Sequence, residues 1–193
     1  GKSHVAKQFG YPVFNADAEV AKLYKTSRKC YNKLKVALPN YITSFPVKKN
    51  NLSKAILANQ FNMKKIIKIV HPEVRSKMNS FIKKNRKKRI IILDIPLLIE
   101  NKINKKSDIL VFVDANKKQI NKRLKNRSNF NLKIVKKFKK LQLPLEIKKR
   151  KSDFIIKNNF KNLYVNKNVK ILKNKILKNE RSSTWYGNNW FIC

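Results

Sequence analysis

The strongest pattern along the chain is a β-branched run from Arg89 to Ile95, R-I-I-I-L-D-I, which lacks the alternation of a half-exposed strand. Such a run predicts a strand of a parallel sheet covered on both faces. A second run, Ile109 to Val113, predicts another strand ending at Asp114, and Phe154-Ile155-Ile156 a short last one. Val13-Phe14 predicts a brief buried strand closing on Asn15-Ala16-Asp17. Between these runs the apolar positions recur at helical spacing: Val5, Ala6 and Phe9, then Val20, Leu23 and Tyr24, then Ile120 and Leu124. The stretch from Tyr31 to Asn85 is expected to be mostly helical, with a loop around Pro39 and Pro46 and a break at His71-Pro72. A helix from about Lys161 to Lys178 closes the pattern. Strands alternating with helices imply a parallel sheet joined by crossover connections.

At 193 residues and 42% hydrophobic content the chain can bury one real core. The formal net charge of +38 first suggests a polyanion partner. The basic residues are mostly lysine and lie along the whole chain, and Asn and Ile are abundant too, which is what an A/T-biased genome would produce without selection for nucleic acid. Specific nucleic-acid binding is therefore not expected. Cys30 and Cys193 form no disulfide framework and no metal spacing, and the longest apolar stretch is far short of the roughly 20 residues that span a bilayer. A cytoplasmic protein is expected. From Glu180 to Cys193 the chain has no lysine and carries both tryptophans. That tail is read either as a docking segment or, preferably, as a non-native, out-of-frame stretch.

Chemistry-bearing residues fall at the ends of these elements. Gly1-Lys2-Ser3 before a helix matches the second half of G-x-x-x-x-G-K-[ST], in which backbone N–H groups and Lys hold phosphate and the hydroxyl meets Mg²⁺. Asp17 follows a strand at the edge where open α/β sheets bind ligands. It can serve as a base toward a hydroxyl or as a helix cap. Asp94 ends the main strand, as a metal-facing carboxylate or an ordinary strand-end acid. Arg123 and Arg127, four apart, either clamp phosphates or are solvated. His71 lacks companions for a metal site.

Taken in order, G-K-S, N-A-D, H-P-E-V-R, L-D-I-P-L-L-I-E, R-L-K-N-R and Q-L-P-L-E-I-K-K-R-K-S-D-F-I-I-K-N resemble the dephospho-coenzyme A kinase family from Gly1 to about Asn158. The resemblance implies a P-loop NTPase-type parallel sheet flanked by helices, with a helical substrate-binding insertion and a lid. One kinase domain would cover 1–179, its acceptor-binding helices about 20–87 and its lid about 125–150. It also implies transfer of the ATP γ-phosphoryl to the ribose 3′-hydroxyl of dephospho-coenzyme A, the last step of coenzyme A synthesis. By position, Gly1, Lys2, Ser3 and His4 would bind phosphate, Ser3 and Asp94 would face Mg²⁺, and Asp17 would be the base. Arg123 and Arg127 would belong to the lid and its hinge, with Lys2 and Arg127 acting on the transferring phosphoryl. Asn158 would sit near adenine. His4 stands where the family usually has Thr, Lys157 where it has an acid, and Asn15 where it has the first Asp of D-A-D. The first strand and the loop glycines that usually precede G-K-S are missing, so the chain as written is expected to be nearly inactive. Another small P-loop kinase acting on nucleoside monophosphates, or a basic nucleic-acid-binding protein, are the alternatives.

Overall fold

A computed structural model describes residues 1–127, 130–182 and 189–192. In chain order the elements are α1 (Lys2–Gln8), β1 (Val13–Asn15), α2 (Ala16–Thr26), α3 (Arg28–Ala37), α4 (Lys49–Ala58), α5 (Gln60–Lys84), β2 (Ile91–Asp94), β3 (Ile109–Ala115), α6 (Lys117–Lys125), α7 (Leu132–Lys140), α8 (Leu145–Arg150), β4 (Phe154–Asn158), α9 (Asn162–Ser182) and β5 (Asn189–Ile192). They form two compact units: Gly1–Asn15, Lys84–Phe130 and Lys140–Cys193 in one, Ala16–Lys83 and Asn131–Lys139 in the other.

The first unit is built on a five-stranded sheet of order β1-β2-β5-β3-β4, with every pairing parallel. All of β2 is buried, as its unbroken apolar run requires. Val5 and Ala6 of α1 and Phe9 at its C-cap join Ile92, Val111, Ile156 and a stripe on α9 (Val165, Val169, Leu172, Ile176) in one core. The stripe recurs at 4, 3 and 4 residues, the repeat that keeps one helix face on a sheet. Gly10 supplies the positive φ (75°) that turns the chain from α1 toward β1. Asn116 caps α6, its side-chain oxygen accepting from the Lys118 N–H at 2.9 Å. The Asp153 carboxylate accepts from the Leu110 N–H at 2.7 Å and so ties the start of β4 to β3.

The tail contributes β5, which lies in the centre of the sheet between β2 and β3. Its four residues pair Ile91↔Asn189 through Asp94↔Ile192 on one side and Ile109↔Trp190 through Val111↔Ile192 on the other.

The second unit is helical. Leu23, Cys30, Leu34, Leu38, Ile42, Leu52, Ala55, Ile66 and Val70 form its core. Ser27 caps α3 by accepting from the Cys30 N–H, and the Arg28 guanidinium lies 4.4 Å from the centre of the Phe45 ring. Burial raises the Cys30 thiol pKa and, more strongly, that of the Tyr24 phenol. The expected break at His71-Pro72 is absent: α5 runs unbroken through Pro72. Pro72 cannot donate to the carbonyl four residues back, a loss of about 3 kcal/mol or more in a helix interior. Val70 and Val74 flank it at i and i+4 on the apolar face and both pack in this core, which offsets that loss. The segment expected as a lid divides between the units, with 131–139 in the helical one and its two limbs in the other. Within the helical unit the Lys137 ammonium donates to the Ile56 and Leu57 carbonyls at 2.6 and 3.2 Å, at the C-terminal end of α4, where a cation is favoured.

Candidate active site

Parallel strands that start together also end together, and in the first unit they deliver side chains to one carboxyl edge. There β1 ends on Asn15 and β2 on Asp94, paired directly in register. Next to them is the first turn of α1, with Gly1 at its N-cap and Lys2 and Ser3 inside it. The Asn15 amide donates to the Ser3 hydroxyl at 3.2 Å and to the Asp94 carboxylate at 2.6 Å. Three elements are thus joined through one side chain. Asp94 is 3% exposed, so its charge is held in the body of the protein at the mouth of the edge.

Positive charge gathers at the same place. The charges of Arg123, Lys2 and Arg127 are felt at Gly1, as is that of Asp94 with the opposite sign. Three cations whose charge is felt at the start of α1 are what a polyphosphate would meet there. His4 is half-buried in the same turn of α1. The Arg123 guanidinium also stacks on the Phe160 ring, 4.4 Å from its centre, and Arg127 lies just past the end of α6.

Asn158, the last residue of β4, is 3% exposed. Its side-chain oxygen accepts from the Phe160 N–H at 2.8 Å, while its amide nitrogen meets no hydrogen-bond partner among the described residues. A buried donor left unmade costs about 1–3 kcal/mol, which makes this group a candidate to meet an acceptor. Phe160 has a positive φ of 64°, and an open cleft of about 560 Å³ is lined by Asn159 to Tyr164.

The structure brings Gly1, Lys2, Ser3, His4, Asp94, Arg123, Arg127 and Asn158 together within the sheet unit. Asp17 belongs to the other unit, where it lies exposed in the first turn of α2, two residues beyond Asn15. Because the helix already begins at Ala16, Asp17 is not its N-cap residue. Among the described residues no three His, Cys, Asp or Glu side chains could together hold a metal ion. One carboxylate and one hydroxyl do suit a cation such as Mg²⁺, which keeps most of its shell as water and substrate phosphate. Two contributors were missed in the sequence: Asn15, seen only as a departure from a motif, and Phe160, whose role depends on a turn that no periodicity announces.

A five-stranded parallel sheet with G-K-S opening a helix at its carboxyl edge and a strand-end acid beside the serine defines an α/β fold of the P-loop kinase type. A family model, dephospho-CoA kinase, matches residues 1–163. The dephospho-CoA kinase of Wolbachia pipientis wMel is 34% identical over 175 residues, covering 88% of this chain and 89% of its own length. That of Bartonella quintana is 34% identical over 161 residues, covering 81% and 82%. The crystal structure of TT1252 from Thermus thermophilus superposes with a TM-score of 0.71 at 22% identity, covering 91% of this chain and 88% of that one. Dephospho-CoA kinase from Campylobacter jejuni gives 0.58 at 18% identity over 90% and 88%; at such identities these two likenesses speak to the fold. The chain belongs to the dephospho-CoA kinase family.

Proposed function

We propose that this chain transfers the γ-phosphoryl group of ATP to the ribose 3′-hydroxyl of dephospho-coenzyme A, yielding coenzyme A and ADP. The observation that carries the reading is the joining of Ser3, Asn15 and Asp94 at one sheet edge, among Lys2, Arg123 and Arg127. In this reading the 3′-oxygen attacks the γ-phosphorus, the bond from that phosphorus to the β–γ bridging oxygen breaks, and ADP departs. Asp17 accepts the hydroxyl proton. Lys2 and Arg127 meet the charge that spreads over the transferring phosphoryl, while Gly1, Ser3 and His4 seat the remaining phosphates. Arg123, stacked on Phe160, and the open donor of Asn158 receive the nucleotide at the base end. Mg²⁺, bound with the nucleotide, would neutralise phosphate oxygens, and Ser3 and Asp94 are the residues suited to hold it. No helix among the described residues is long and apolar enough to cross a membrane. A cytoplasmic location and the absence of a specific nucleic-acid partner complete the proposal.

The test is ATP-dependent ADP release with dephospho-coenzyme A by the chain carrying the family's upstream strand and phosphate loop ahead of Gly1, the product's phosphate position being assigned by ³¹P NMR. Release that depends on dephospho-coenzyme A, with phosphate on the 3′-oxygen, is expected. Faster release with a nucleoside monophosphate, or none with either acceptor, would overturn the reading.

A further inference from the structure

We infer that Asn15 is a positioning residue that presets the Ser3 hydroxyl and the Asp94 carboxylate as one pair for a divalent cation. The inference rests on the phosphoryl-transfer reading above. A carboxylate oxygen only accepts hydrogen bonds, so the amide atom 2.6 Å from Asp94 Oδ2 must be the nitrogen. That nitrogen has two hydrogens, and the structure gives it two acceptors at this site, Asp94 Oδ2 and Ser3 Oγ. Its backbone is held as well, since Asn15 pairs in register with Asp94 and the next residue begins α2. One side chain thus fixes groups from α1 and β2 that have no covalent reason to stay aligned.

The chemistry of the bridge follows from its charge. A carboxylate at position 15 would repel the Asp94 charge at this distance whenever no cation lay between them. The amide holds Asp94 in place without a cation, and it spends a hydrogen on Ser3 while leaving the serine oxygen a further lone pair. The protein therefore offers the cation one negative charge in a prepared geometry. Outer partners that orient ligands in this way typically change metal affinity by about 10–100-fold when lost.

The probe is Mn²⁺ with ADP, its binding followed by electron paramagnetic resonance on the wild type, Asn15→Leu, Asp94→Asn and the double variant. Asn15→Leu should weaken Mn²⁺ binding about tenfold or more. Adding Asp94→Asn should then cost much less than it does alone, because a misplaced carboxylate has little left to lose. A second measurement needs no variant of Asn15: the side-chain NH₂ resonances of Asn15 in the wild type should shift when Mg²⁺ and ADP are added, and more than with ADP alone. Wild-type Mn²⁺ affinity in Asn15→Leu, strictly additive losses, an amide pair indifferent to Mg²⁺, or a wild type that binds no Mn²⁺ with ADP would each overturn the inference. Turnover of dephospho-coenzyme A is read separately, so failure of the kinase reading leaves a distinct signature: cation and ADP bind, but no 3′-phosphate forms.

Discussion

Glu100 and Lys148 offer a perturbation whose size follows from their surroundings. Glu100 Oε1 accepts from the Lys148 ammonium at 2.7 Å and from the Leu143 N–H at 3.0 Å, and the two side chains are 10% and 12% exposed. The carboxylate is set in a turn pinned by Leu97 and Lys102, both at positive φ. It thereby joins the turn after β2 to the segment leading into α8. Lys148→Met leaves a buried carboxylate without its counter-charge, a change that typically costs about 3–5 kcal/mol. For a chain of this length that is a fall of roughly 6–20 °C in melting temperature. Glu100→Gln with Lys148→Met removes both charges and keeps an oxygen that can accept from the Leu143 and residue-100 N–H groups, at the cost of about 1–3 kcal/mol for the amide donor left without a partner. The double variant should therefore be more stable than Lys148→Met alone. Burial pushes the Glu100 pKa up most strongly, but the hydrogen bonds from Lys148 and two backbone N–H groups, together with the lysine charge, outweigh it, and the net shift is downward. Its contribution to stability is thus present above the unfolded carboxylate range, near about pH 4.3, and is lost as pH falls through the lower folded value. Glu100→Gln should flatten that part of the acid limb. Urea unfolding across pH measures all of these quantities. A single-variant loss below about 1 kcal/mol, the value of a solvated pair, would refute the argument, as would a double-variant loss equal to the sum of the singles.

Asp17→Asn should lower kcat by about 10²–10⁴ if Asp17 takes the hydroxyl proton, with ATP affinity unchanged and the protein still folded by thermal melt. Normal turnover would remove it from the mechanism. Arg127→Ala should reduce kcat by about 10²–10³ with a smaller effect on ATP binding, whereas a merely solvated arginine would leave kcat within about twofold. Phe191→Pro removes a ladder donor from the central strand β5 and should cost at least about 1–3 kcal/mol. A thermal melt unchanged by that substitution would contradict the strand order.

The strands of this protein were legible where burial on both faces left a continuous apolar run: Ile91–Asp94, Ile109–Ala115 and Phe154–Asn158 all lie where the runs predicted. The helices of the second unit were legible through spacing, but the proline in α5 was not, because local propensity is overridden when an apolar face continues on both sides of it. The strand β5 was invisible for a different reason. Four residues in a tail of unusual composition have no periodicity to read, and their strand state depends on Asp94 and Val111 lying on either side. The site divides along the same line. Lys2, Ser3, Asp94 and Asn158 stand in ordered motifs, whereas the bridging role of Asn15 comes from a register that only the folded sheet specifies.

Scarcity of carboxylates adds weight to the reading of Asp17. The chain holds 48 Lys and Arg against 10 Asp and Glu. With so few acids, their individual tasks can be followed. Glu73 takes Lys29 and Lys33 within the helical unit, Glu100 takes Lys148, and Asp94 takes the Asn15 amide. Asp108 accepts from the Lys105 N–H and Asp153 from the Leu110 N–H, each closing a backbone group that the fold would otherwise leave open. Asp114 and Glu146 flank Lys149 near α8. Six of these seven serve packing, a turn or an ion pair, and Asp94 stands with Asn15 and Ser3 at the carboxyl edge. Asp17 is exposed in the first turn of α2, past the cap position and two residues along the chain from Asn15. Under the proposed transfer, the base for the sugar hydroxyl has to stand open before that hydroxyl arrives, and Asp17 is exposed.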